Sequence, residues 1–188
     1  MRNSTKRFLA TFLAAPLALL LVSTPAAPAG EDTLVPAQIV ALDECDPTTF
    51  NAVLGPDFCK NVALAFVAPF ATKLADLFAK AAAGTPDPAW DFEPDTFTIK
   101  QGTPLIVVNQ GGEPHTFTKV ANFGGGFIAG LNGGQAVVPE CAAGFKDVAV
   151  ARTRILQGSQ LQVTGLSKGE HHLQCCNHPW MRVTVVVK

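Results

Sequence analysis

The chain has 188 residues, 14 of them basic and 15 acidic, with a formal charge of −1. Scattered lysines and arginines at near-neutral charge exclude a basic nucleic-acid-binding surface. The length allows one domain with a real core plus an appendage.

The first stretch reads as an address label. Arg2, Lys6 and Arg7 are followed by residues 8–22, apolar except for Thr11, and then by Ala27-Pro28-Ala29. This is the charged, apolar and small-x-small order of a secretory signal, with cleavage expected after Ala29. The apolar run is short for a membrane span and no second span follows, so no stable membrane anchor is expected. No cysteine precedes Cys45, which argues against a lipid anchor. With residues 1–29 removed, acidic residues outnumber basic ones. The protein is therefore expected to be periplasmic or secreted.

Residues 30–92 read as a helical N-terminal extension. A polar stretch from Glu31 to Pro36 leads to a segment bracketed by Cys45 and Cys59, with turn residues at Asp46-Pro47 and Gly55-Pro56-Asp57. Phe70, Leu74, Leu77, Phe78 and Ala81 recur at helical spacing, so a helix is expected over roughly 62–83, kinked at Pro69 and ended by Gly84 and Pro86. Its apolar stripe is expected to lie on the domain that follows. Asp87 to Pro94 reads as the joint.

From residue 93 to 188 the pattern changes to strands and turns. Strands are expected over 96–100, 104–109, 115–120, 147–156, 160–164, 170–175 and 182–188, separated by turn residues such as Gln101-Gly102 and Lys168-Gly169. Short strands at this spacing predict an all-β antiparallel sandwich with Greek-key links. The Gly-rich stretch 121–144 reads as an insertion at one end of it. Gly124-Gly125-Gly126 lacks the lysine, serine and helix of a phosphate loop.

The cysteines carry the first chemical clue. There are five, and outside the cytoplasm thiols pair, so one is left over. A lone thiol persists there when it is buried or held by a metal as thiolate. Near the C-terminus stands Gly169-Glu170-His171-His172-Leu173-Gln174-Cys175-Cys176-Asn177-His178-Pro179-Trp180-Met181. Thiolate, imidazole and thioether together form a soft donor set that favours copper over magnesium or calcium. Zinc also takes Cys and His but seldom Met. A second imidazole is needed, and His115, opening a strand after Asn109 to Pro114, is its natural source.

One histidine far upstream, then Cys-x-x-His-x-x-Met before a final apolar strand, resembles the plastocyanin/azurin family of cupredoxins. The loop Cys175 to Met181 is most similar to that of the amicyanin and pseudoazurin branch. The resemblance covers about 90–188 and implies a Greek-key sandwich with one type 1 copper at one end, ligated by His115, Cys175, His178 and Met181. Gly169, His171, Leu173 and Cys175 match the family's Gly-x-Tyr-x-aromatic-x-Cys strand, with His171 where a tyrosine is common. Asn109 matches an asparagine that fastens the ligand loops.

Two adjacent cysteines depart from the family pattern. Strand periodicity puts His171, Leu173 and Cys175 on one face and His172, Gln174 and Cys176 on the other. Apolar Leu173 marks the first set as inward, and only Cys175 leaves two residues before His178. Cys175 is therefore the expected ligand. Cys176 is then able to bridge Cys141, and Cys45 to close a short loop with Cys59, although four cysteines allow three connectivities.

The function this implies is electron transfer by Cu(II)/Cu(I) cycling in a monomer, with electrons leaving by the edge of His178. Redox partners are expected to dock near His178, Pro179 and Trp180. An enzyme is not expected, because a copper oxidase or nitrite reductase needs a second centre and only His171 and His172 remain, on opposite faces. The alternative is a copper chaperone or store, which usually exposes several Met or His ligands; this chain has two methionines, one of them in the leader. A dithiol redox protein is disfavoured, since Cys-x-x-Cys is absent and vicinal disulfides are strained.

Overall fold

The computed structural model describes residues 34–60 and 71–188. The expected signal peptide and the first part of the expected 62–83 helix lie outside the described residues. No helix among the described residues is long and apolar enough to cross a membrane.

Strand β1 (Ala37–Leu42) is followed by helices α1 (Pro47–Leu54) and α2 (Leu74–Ala82). Strands β2 (Asp91–Glu93), β3 (Thr96–Ile99), β4 (Leu105–Asn109), β5 (His115–Thr116) and β6 (Thr118–Val120) come next. Three short 3₁₀ turns and helix α3 (Val148–Arg152) then lead to β7 (Arg154–Ile155), β8 (Gln160–Val163), β9 (Gly169–Gln174) and β10 (Arg182–Val187).

Two four-stranded sheets result, in the orders β2-β1-β4-β8 and β3-β10-β9-β6, with β5 and β7 pairing separately. Alternation drives their packing. Ile39 and Ala41 of β1, Leu105 and Val107 of β4, Leu173 of β9, and Val183, Val185 and Val187 of β10 are all buried in one shared core. Between the sheets Phe92 meets Phe117 edge to face, with ring centroids 5.2 Å apart. Burying a large apolar side chain of this kind stabilises by about 1.5–3 kcal/mol. This mostly β architecture with few helices fits a cupredoxin-like sandwich.

Three expectations are corrected. The sheets are mixed rather than antiparallel: β1 runs parallel to β4, and β3 parallel to β10. Parallel neighbours need long crossovers, and the helices between β1 and β4 supply one. Residues 37–42, read as part of a helical leader, form a strand inside the first sheet, flanked by β2 and β4. Residues 147–156, read as a strand, form α3 over Val148–Arg152 and a strand only at β7. The β-branched Val148 and Val150 favour a strand, but Asp147 accepts the Ala149 amide at 2.7 Å and caps a helix start instead.

Helix α1 begins in the same way, with Asp46 accepting the amides of Thr48 and Thr49. Helix α2 matches the later half of the expected helix and buries Leu77 and Ala81 in the common core.

Candidate metal centre

His115 owes its position to Asn109. The Asn109 amide donates to the carbonyls of Glu113 (2.6 Å) and Ile155 (3.1 Å), and its oxygen accepts the Gly111 amide at 2.9 Å. That pins the loop between β4 and β5, and His115 then pairs with Ile155 of β7. The loop closes tightly on Asp43, just past β1. A Cβ on Gly111 would overlap the Asp43 carboxylate, and one on Gly112 would meet the Cys45 sulfur, so glycine is required for the approach.

Cys175 follows β9, where pairing with β10 ends. Its amide donates to the Met181 carbonyl, and the Met181 amide donates to the His178 carbonyl, both at 3.0 Å. The 175–181 loop is thereby folded back on itself. It is tied to the His115 segment by three bonds. The Thr116 amide approaches the Cys175 sulfur at 3.4 Å, the Cys176 amide donates to the Thr116 hydroxyl at 2.7 Å, and the Asn177 amide group donates to the Pro114 carbonyl at 3.2 Å.

The outcome is a converging donor set. Cys175 Sγ lies 3.8 Å from His115 Nδ1 and 3.9 Å from His178 Nδ1. The three donor atoms fall within 4.8 Å of one another, and all three residues are buried. Two bonds of roughly 2.0 and 2.3 Å, typical of a first-row metal with nitrogen and sulfur, meet across a gap of this size. The residues present therefore fit a soft-metal ion. Met181, fully buried, sits at the end of the same loop.

Buried carboxylates stand behind both imidazoles. Asp43 Oδ2 is 2.8 Å from His115 Nε2, and Glu113 Oε2 is 3.3 Å from His178 Nε2. Burial alone would push His115 down, but the hydrogen bonds to Asp43 and Cys175 raise it to about 9. His178 is likewise raised against burial, to about 10, by the Glu113 charge and the Cys175 sulfur. Burial opposes ionisation of the Cys175 thiol, yet the two imidazoles hold it well below the usual thiol range. Asp43 is held low against burial by His115 and by the amides of Glu113 and Gly112. Burial pushes Glu113 up despite His178 beside it.

The remaining expectations sort by strand face. His171 is buried with Nε2 2.7 Å from the Ser167 carbonyl, whereas His172 reaches the Ala121 carbonyl and the Glu170 carboxylate. Gln174 and Cys176 point away from the core beneath the 175–181 loop but are buried all the same, because the 121–150 segment covers that face. Cys141 and Cys176 are joined, as are Cys45 and Cys59, and Cys175 is the free cysteine. The edge of His178 is not open: the residue is 2% exposed, and its ring packs against Trp180 and Trp90.

Sequence reasoning missed Asp43 and the role of Glu113. Glu113 stands two residues from His115, a carboxylate beside a candidate ligand; Asp43 carries no local signal.

No family model matches this chain, and no curated protein does. Among solved structures it is similar to a reduced amicyanin variant at 20% identity, covering 52% of this chain and 73% of that chain with a TM-score of 0.34. A copper(I) amicyanin variant is 19% identical over 57% of this chain and 89% of its own, with a TM-score of 0.35. A novel purple cupredoxin from Nitrosopumilus maritimus is 14% identical over 81% of this chain and 99% of its own, with a TM-score of 0.37.

Proposed function

We propose that this chain is an exported type 1 copper protein of the cupredoxin kind, a Greek-key sandwich that passes single electrons between redox partners. The observation that carries the reading is the buried thiol of Cys175 flanked by two imidazole Nδ1 atoms at 3.8 and 3.9 Å. Copper held by these groups supplies a one-electron Cu(II)/Cu(I) couple, and thiolate with imidazole and a weak thioether suits it.

In this reading His115, Cys175 and His178 would hold one copper, with the Met181 thioether as a weaker fourth donor. Rigidity is what the protein contributes. Three ligands come from one self-bonded loop, and Asn109 and Thr116 lock the fourth to it, so the donors move little when the charge at the centre changes. The Thr116 amide at the Cys175 sulfur tunes the potential.

The proposal contains no enzymatic step, since His171 and His172 are engaged by Ser167, Ala121 and Glu170. Burial of every ligand disfavours a chaperone, which must hand its metal over by exposing ligands. Two disulfides suit an oxidising compartment, in keeping with a signal peptide cleaved after Ala29. Partners dock on the monomer near His178, Pro179 and Trp180; of these, half-buried Trp180 is the residue that reaches the surface.

The test is an absorption spectrum of Cu(II)-loaded protein lacking residues 1–29. An intense thiolate-to-copper charge-transfer band, reversible on reduction, is expected. Colourless protein holding one zinc tightly would overturn the reading, because zinc has no such transition. Tight Cu(I) binding without colour would favour a chaperone or store.

A further inference from the structure

We infer that Asp43 and Glu113 are paired positioning residues for the metal ligands, an inference that rests on the copper reading above. Each accepts the Nε2–H of one ligand imidazole, and together they fix which nitrogen of each ring faces the metal.

A neutral imidazole carries one N–H and one lone pair. In both rings Nδ1 faces the Cys175 sulfur, so metal binding there leaves the hydrogen on Nε2. That N–H is buried in each case and needs an acceptor. For His115 the acceptor is Asp43 Oδ2 at 2.8 Å, with both side chains fully buried. For His178 the carboxylate in reach is Glu113 Oε2, a looser charged contact at 3.3 Å, with side chains 2% and 3% exposed. A carboxylate behind a ligating histidine fixes its tautomer and orientation and makes it a stronger donor.

The two acceptors are built as one unit. Asp43 also accepts the amides of Gly112 and Glu113 at 2.9 Å each, so it holds the backbone of the residue that serves the other ring. Glu113 in turn passes its carbonyl to Asn109. The glycines at 111 and 112 exist to let this loop approach Asp43. Among the described residues Glu113 Oε1 is buried with no hydrogen-bond partner, which leaves Oε2 as the oxygen turned to the ring. Stronger donation by both rings favours Cu(II) over Cu(I) and lowers the reduction potential.

Glu113→Gln is the decisive variant, because the amide oxygen remains an acceptor of the same shape while the charge goes. Asp43→Asn is the companion, although Asp43 serves several amides and its variant must first be shown folded by circular dichroism. Three readings are taken: voltammetry, Cu(II) affinity, and ¹⁵N spectra of the copper(I) protein, which report tautomer and Nε2–H exchange. Wild type should show both rings as Nε2–H tautomers with slow exchange. In Glu113→Gln the Cu(II)-over-Cu(I) preference should fall about tenfold, a rise of about 59 mV for a one-electron couple. His178 Nε2–H exchange should quicken in Glu113→Ala. Coloured variants with unchanged potential, affinity and exchange would overturn the positioning role and leave the copper reading intact. A wild type without a charge-transfer band would overturn both.

Discussion

Asp43 precedes His115 by 72 positions, yet its carboxylate lies 2.8 Å from the imidazole Nε2 with both side chains fully buried. The contact joins the end of β1 to the start of β5, and it makes a strand outside the copper-loop resemblance part of the metal centre. Three expected outcomes follow from the centre's construction.

The adjacent cysteines should behave oppositely. Cys175→Ser should abolish the charge-transfer band, since a serine oxygen is a hard, poor substitute for a thiolate on copper. Cys176→Ser should keep the band but break the bridge to Cys141, costing on the order of 2–4 kcal/mol by chemical denaturation. The control is Cys141→Ser in the same background, which removes the freed thiol. A bleached Cys176→Ser with a coloured Cys175→Ser would reverse the ligand assignment.

Replacing the thioether should tune the centre without dismantling it. Met181→Leu conserves volume in a fully buried position, so the fold should survive with a loss under about 1.5 kcal/mol. Under the copper reading, losing a weak thioether donor would disfavour Cu(II) more than Cu(I), and the reduction potential should rise. An unchanged potential in voltammetry would make Met181 a core residue only.

Metal uptake should release protons at neutral pH. In the metal-free protein His115 is raised to about 9 and His178 to about 10, so at pH 7 both Nδ1 atoms carry protons that a ligand must give up. Copper affinity should therefore climb with pH toward that range. The same raised values stabilise the metal-free fold fully below about pH 6.5, with the contribution lost as pH rises through about 9 and 10. Calorimetry in buffers of differing ionisation enthalpy checks the release, and thermal scans of metal-free protein from pH 7 to 10 check the stability. Uptake at pH 7 with no proton release would contradict the charge state described for the ring pair.

Much of the centre was legible because its signals are local. The spacing from Cys175 to His178 is a loop property, and the alternation through His171, Leu173 and Cys175 is a property of one extended strand. That alternation also separated Cys175 from Cys176, and the two disulfides followed the same division. The regions misread were those where two local codes competed. In 147–156 the strand preference of Val148 and Val150 competes with a helix cap at Asp147, and the cap prevails. In 37–42 the residues Ala-Gln-Ile-Val-Ala-Leu are a short apolar run whose strand character depends on pairing with β2 and β4, which are distant in sequence.

From the sequence alone came the donor types, the inward cysteine and the β character of the C-terminal part, each read from short-range spacing and strand alternation. Only the tertiary structure decided that β1 enters the sheet beside β4, that the 121–150 segment buries the far face of β9, and that Asp43 and Glu113 close the two imidazoles from behind. Those are contacts between distant segments. Burial and hydrogen-bond satisfaction select them in the folded chain, and no residue spacing announces them beforehand.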